Sequence, residues 1–111
     1  MSFASVFGSP ITGYGLNYPC KATILTTTTP ITLDVNYFYN IKSNSGGNVV
    51  INLPSNATIG NWIGLCYWSS GEGDSITILG TPNNLENLQP IGGCQFIYTT
   101  DGWLISSIYG F

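Results

Sequence analysis

The chain has 111 residues, 43% of them hydrophobic and 14% aromatic, enough for one compact core, yet charged residues make up only 6%, against about 25% in a typical soluble domain. The net charge is −3, with two lysines and no arginine or histidine, so no basic patch exists to neutralise phosphates or meet an anionic membrane surface. No apolar run reaches the roughly 18 residues of a membrane-crossing helix, and the Gly- and Pro-broken start has no positive region of the signal-peptide kind.

Residues 1–19 show no periodicity and read as an extended, tyrosine- and phenylalanine-bearing arm, leaving 20–111 as the folded domain. From Cys20 the texture changes. Lys21 to Thr29 is rich in β-branched residues and reads as a strand that stops at Pro30, with Thr26–Thr29 as an exposed polar edge. Ile31, Leu33 and Val35 alternate with polar residues as a second short strand, and Tyr37–Lys42 makes a third. Ser43-Asn-Ser-Gly-Gly is then a turn.

The stretch Gly47–Trp68 is the centre of the sequence and reads as strand, tight corner, strand. Val49, Ile51 and Leu53 share one face, Pro54 ends the ladder, and Ser55–Asn61 supplies turn residues. The chain returns through Trp62-Ile-Gly-Leu-Cys-Tyr-Trp68, where Trp62 and Trp68 have the same parity and point to one face. Two such strands need a further layer to cover their apolar faces.

After the loop 69–74, Ser75–Leu79 is a strand and Gly80–Asn84 a turn, while 85–91 reads as an irregular excursion. Cys94–Thr99 and Trp103–Tyr109 form a hairpin around the Asp101-Gly102 turn, with Trp103 in the core. Eight or nine short strands at about ten-residue spacing, with no helix and no internal repeat, predict an all-β fold: a small antiparallel β-sandwich, jelly roll or barrel.

Chemistry-bearing residues are few. Without histidine there is no Ser-His-Asp or Cys-His arrangement and no His-based metal site. Glu72 and Asp74 read as solvated loop acids rather than calcium ligands, and the five carboxylates show no spacing that marks a glycosidase pair. No catalytic residue, metal or cofactor is expected. Cys20, Cys66 and Cys94 are an odd set without CxxC spacing; free thiols are expected, with a Cys66–Cys94 bridge as the alternative. Asn56-Ala-Thr58 fits a glycosylation acceptor but reads as a polar turn. Aromatics on strands usually serve packing, though Trp62 and Trp68 also qualify as a platform on which a sugar ring stacks.

One ordered set of segments stands out: Asn40-Ile-Lys-Ser-Asn-Ser-Gly-Gly47, Val49-Val-Ile-Asn-Leu-Pro-Ser-Asn-Ala-Thr-Ile-Gly-Asn-Trp-Ile63, Gly73-Asp-Ser-Ile-Thr-Ile-Leu-Gly80, Gly92-Gly-Cys-Gln-Phe-Ile-Tyr-Thr99 and Asp101-Gly-Trp-Leu-Ile105. Over residues 22–106 it resembles the β-structured modules of bacteriophage and large-virus fibre, tail-spike and capsid-decoration proteins. Their pattern runs V-x-L-P-x-x-A-x-x-G-x-x-(I/F), then I-T-I-x-G, then (F/Y)-x-Y-x-x-x-G-W-x-(I/V). The resemblance implies a homotrimeric β-sandwich on the virion surface, and trimer burial accounts for the low charge. The chain is thus expected to be a virion protein that binds itself and, through the arm, a major capsid or other virion protein. Phe3, Phe7 and Tyr14, with Tyr109 and Phe111 at the other end, are the interface or anchor candidates. The alternative is a lectin-like module that takes a cell-surface glycan on Trp62 and Trp68.

Overall fold

The computed structural model describes residues 19–70 and 73–111. Among them the chain is all β, with no helix and nine strands: β1 (Cys20–Leu25), β2 (Ile31–Thr32), β3 (Tyr37–Ser43), β4 (Asn48–Asn52), β5 (Trp62–Ser69), β6 (Ser75–Leu79), β7 (Leu85–Leu88), β8 (Gly92–Thr99) and β9 (Gly102–Tyr109). They form a five-stranded sheet, β1-β3-β5-β8-β9, and a four-stranded sheet, β2-β4-β6-β7.

The antiparallel expectation is corrected. β1 with β3, β3 with β5, β2 with β4 and β4 with β6 are all parallel, and only the β5–β8, β6–β7 and β8–β9 pairings are antiparallel. From β1 to β6 the chain crosses to the other sheet after every strand, so each strand lies in parallel on the one two before it. Parallel neighbours need a long crossover; here each crossover carries a strand of the opposite sheet. The Gly47–Trp68 corner is therefore a passage between sheets rather than a hairpin, with β4 in one and β5 in the other.

This winding is repetitive in space and not in sequence. Cys20 pairs with Phe38, but Tyr37 pairs with Ile63, so the second coil is longer than the first and no fixed period arises. β7, β8 and β9 then fold back antiparallel and end the winding. Further local expectations also change. Residues 85–88 pair with β6 as β7, through Leu85–Ile78 and Leu88–Ile76 with an irregularity between. The Thr26–Thr29 run is exposed but lies beyond the end of β1, and Ser43 belongs to β3.

The core sits between the sheets and follows from period-2 alternation. Tyr39 and Ile41 of β3, Ile63, Leu65 and Tyr67 of β5, and Cys94 and Phe96 of β8 meet Val49 and Ile51 of β4 and Ile76 and Ile78 of β6. All are at most 5% exposed, and burying each such aliphatic or phenyl side chain contributes about 1.5–3 kcal/mol. Leu53 and Trp103 join them, as the sequence predicts.

The turns are held by side chains placed for the purpose. Asn36, at φ 64°, donates its N–H to the Trp62 carbonyl while its Oδ1 accepts from the Trp62 N–H, which ties the β2–β3 connection to the start of β5. In the β8–β9 hairpin the Thr99 hydroxyl accepts from the Asp101 N–H and donates to the Gly102 carbonyl, with Gly102 at φ 90°. Only glycine meets that backbone angle without strain.

Candidate assembly surface

The same alternation sets what each sheet shows to the outside, and the two differ. On the four-stranded sheet the outward residues of β4 and β6 include Asn48, Ser75 and Thr77. They satisfy one another: the Ser75 and Thr77 hydroxyls both donate to Asn48 Oδ1, at 2.8 and 3.1 Å, and Thr77 accepts from the Asn87 N–H. These polar groups are internally paired and Ser75 and Thr77 are buried, while Val50 and Leu79 stand beside them on the same side.

The five-stranded sheet is apolar outside. Its outward residues form rows across the strands: Trp62, Ile97 and Leu104; Cys20, Phe38, Gly64, Gln95 and Ser107; Ala22, Asn40, Cys66, Gly93 and Tyr109; Ile24, Lys42 and Trp68. Two glycines keep the face flat. A Cβ on Gly64 would stand 2.6 Å from the Phe38 ring, and one on Gly93 would stand 2.5 Å from the Tyr109 ring. Each ring thus lies over a neighbouring strand, and Tyr109 reaches on to bring its hydroxyl 3.5 Å from Cys66 Sγ. That contact, with partial burial, pushes the Tyr109 phenol up to about 12.

Ile24, Trp68, Ile97 and Tyr109 are between 37% and 66% exposed. The charged side chain on these rows is Lys42, and its Nζ sits 4.3 Å from the Trp68 ring centroid, where the π face holds it. The other lysine is engaged as well: Lys21 Nζ lies 2.8 Å from Asp34 Oδ2 and 4.2 Å from the Tyr37 ring centroid. Asp34 holds the Lys21 ammonium above its ordinary value.

The sequence candidates fall as follows. Phe3, Phe7 and Tyr14 lie outside the described residues. Tyr109 is on the outer face, whereas Phe111 packs against the core of its own chain beside Gly92. Trp62 and Trp68 share a face as expected, but six residues apart on one strand they are about 20 Å from each other. Two rings so spaced do not sandwich one sugar. Ile24, Phe38, Ile97 and Leu104 join them on this face. Period-2 parity marks each as one side of its strand, but only the cross-strand register reveals that all are the same side.

The cysteines are free. Cys66 points outward, while Cys94, paired with Leu65, points into the core, so a bridge between the two is ruled out by the pleat. Burial pushes the Cys94 thiol up to about 12, which leaves it an inert packing group.

Asp74 corrects the expectation of a solvated loop acid. It is 1% exposed and closes one end of the core. Its Oδ2 accepts from Ser69 Oγ at 2.6 Å and Ser43 Oγ at 3.1 Å, and Ser43 in turn is 2.7 Å from the Tyr67 hydroxyl. With one proton per hydroxyl, Tyr67 donates to Ser43 and Ser43 to Asp74. The Ser69 hydroxyl first, then Ser43 and the Gly46 and Gly47 N–H groups, hold the Asp74 carboxyl below its ordinary value although burial opposes them. Asp74 Oδ1 is buried without a hydrogen bond of ordinary geometry. Among the described residues no three Cys, Asp or Glu side chains converge as a metal site. No protein-family model matches the chain, and no curated protein resembles it closely enough to count as a relative.

Proposed function

We propose that the chain is a structural protein of a virus particle, a fibre, decoration or minor capsid component that assembles as a homotrimer and attaches through residues 1–19. It acts by burying apolar surface between subunits and carries out no catalysis. The observation that carries this reading is the flat, mostly apolar, nearly uncharged outer face of the five-stranded sheet, on which Ile24, Trp68, Ile97 and Tyr109 are exposed. The sequence resemblance to virion β-modules supplies the setting.

Light scattering on the full chain tests it: a mass near three times 11.9 kDa is expected. A soluble single-chain mass at every concentration would overturn the trimer. In the full chain, replacing Phe3, Phe7 and Tyr14 with alanine is expected to leave the trimer and abolish particle binding.

A second reading, a glycan-binding module, is favoured by the part-exposed Trp68 indole, whose ring a pyranose would stack on in place of Lys42. A glycan array distinguishes the two. Under the structural reading no glycan binds; binding that Trp68→Ala abolishes in a folded protein would put the lectin first.

A further inference from the structure

We infer that copies of this chain meet through the outer face of the five-stranded sheet together with the free edge of β9; this rests on the self-assembly proposed above and names its surface. The sheets present four edges, and three are protected in ways that natural edge strands use. β2 is two residues long, β7 is four residues long and carries Glu86, and β1 carries Lys21 in its ion pair with Asp34. β9 is the exception. It runs eight residues, GWLISSIY, without a charge or a proline. Its one irregularity is the bulge opposite Gln95 and Phe96, which leaves a regular stretch on either side.

The smaller sheet does not cover the far half of β9. Ile105 pairs with Phe96 and Ile108 with Cys94, so both lean toward the core side, yet they are 38% and 48% exposed. Tyr109 on the opposite side is 56% exposed. The edge is therefore bare on both faces and continuous with the apolar outer face.

Size and charge fit a second copy. Five strands about 4.8 Å apart and about 20–25 Å long give a face of about 500 Å². In the three-fold assembly proposed above each copy turns this face toward the common axis, half against each neighbour, so three faces bury about 1,500 Å² in all before the β9 edge is added. Two identical surfaces bring no carboxylate rows together, and the one cation, Lys42, already lies on Trp68. Identical charged faces would repel; these do not.

The test uses the full chain, with Ile97→Glu and Trp68→Glu on the face and Asn83→Glu in the exposed β6–β7 turn as control. A carboxylate on a covered apolar face is left unpaired. Light scattering is expected to show loss of the multimer in both face variants, with β circular dichroism unchanged, and none in Asn83→Glu. Iodide quenching of the unsubstituted protein checks the same point without mutation: Trp62 and Trp68 lie on the face while Trp103 is buried. Quenching is expected to rise as the assembly is diluted apart. An assembled wild type whose mass survives both glutamates, or whose quenching ignores dilution, overturns this interface and leaves self-assembly standing. A wild type that stays a single chain overturns both.

Discussion

Trp103→Ala is expected to remove about 3–5 kcal/mol of stability, a large share of the roughly 5–15 kcal/mol that a domain of this kind has. Three interactions go at once. The indole is 3% exposed within the core, its Nε1–H donates to the Pro54 carbonyl at 2.8 Å, and its ring meets Tyr98 edge-on at 5.2 Å. The hydrogen bond matters beyond its own strength because Pro54 sits at the start of the passage from one sheet to the other. Losing the donor leaves that carbonyl without its partner at the place where the chain crosses. Trp103→Phe separates the terms: it keeps most of the apolar volume and loses the donor, at a cost of about 1–3 kcal/mol. Thermal denaturation reads both, with a fall in Tm of roughly 10–25 °C for the alanine variant. Equal losses in the two variants would show that the hydrogen bond, rather than the packing, is what Trp103 contributes.

The second large effect is in acid. The Asp74 carboxyl is held below its ordinary value of 3.8, chiefly by the Ser69 hydroxyl and then by Ser43. A carboxyl whose pKa is lower in the folded than in the unfolded chain stabilises the fold fully above the unfolded value, near pH 4. That contribution is drawn down as pH falls, and is gone below the folded value. Unfolding by denaturant at a series of pH values is thus expected to show wild-type stability dropping below about pH 4. Asp74→Asn is expected to be less stable than wild type near neutrality, because the Ser43 and Ser69 hydroxyls lose a charged acceptor. The gap between the two proteins closes toward low pH. A gap that stays constant from neutrality into acid would mean that the carboxylate charge does not hold this end of the core.

Much of the fold is legible in the residues. The alternation of Val49, Ile51 and Leu53, the parity of Trp62 with Trp68, the Asp101-Gly102 turn and the burial of Trp103 are local properties, and each is found where the pattern places it. β7 was less visible because Leu-Glu-Asn-Leu does not alternate; its two leucines pack on Ile76 and Ile78 across an irregular pairing. Asp74 was missed for a related reason. A carboxylate between glycine and serine has the composition of a solvated loop, and its true partners, Ser43 and Ser69, lie on β3 and β5. No spacing along the chain signals that convergence.

The sequence by itself determined the class of structure and the identity of its buried faces, because both depend on period-2 alternation and on where Gly, Pro and Asn interrupt it. Pairing partners, strand direction and the apolar outer face were decided only by the tertiary structure. A strand carries the same residues whether its neighbour runs parallel or antiparallel, so nothing local distinguishes a hairpin from a crossing between sheets. Likewise Ile24, Phe38, Trp62, Trp68, Ile97 and Tyr109 become one surface only when the register of five strands brings them to the same side. That register is set by how the core closes, with coils of unequal length, and it is a property of the whole chain rather than of any segment.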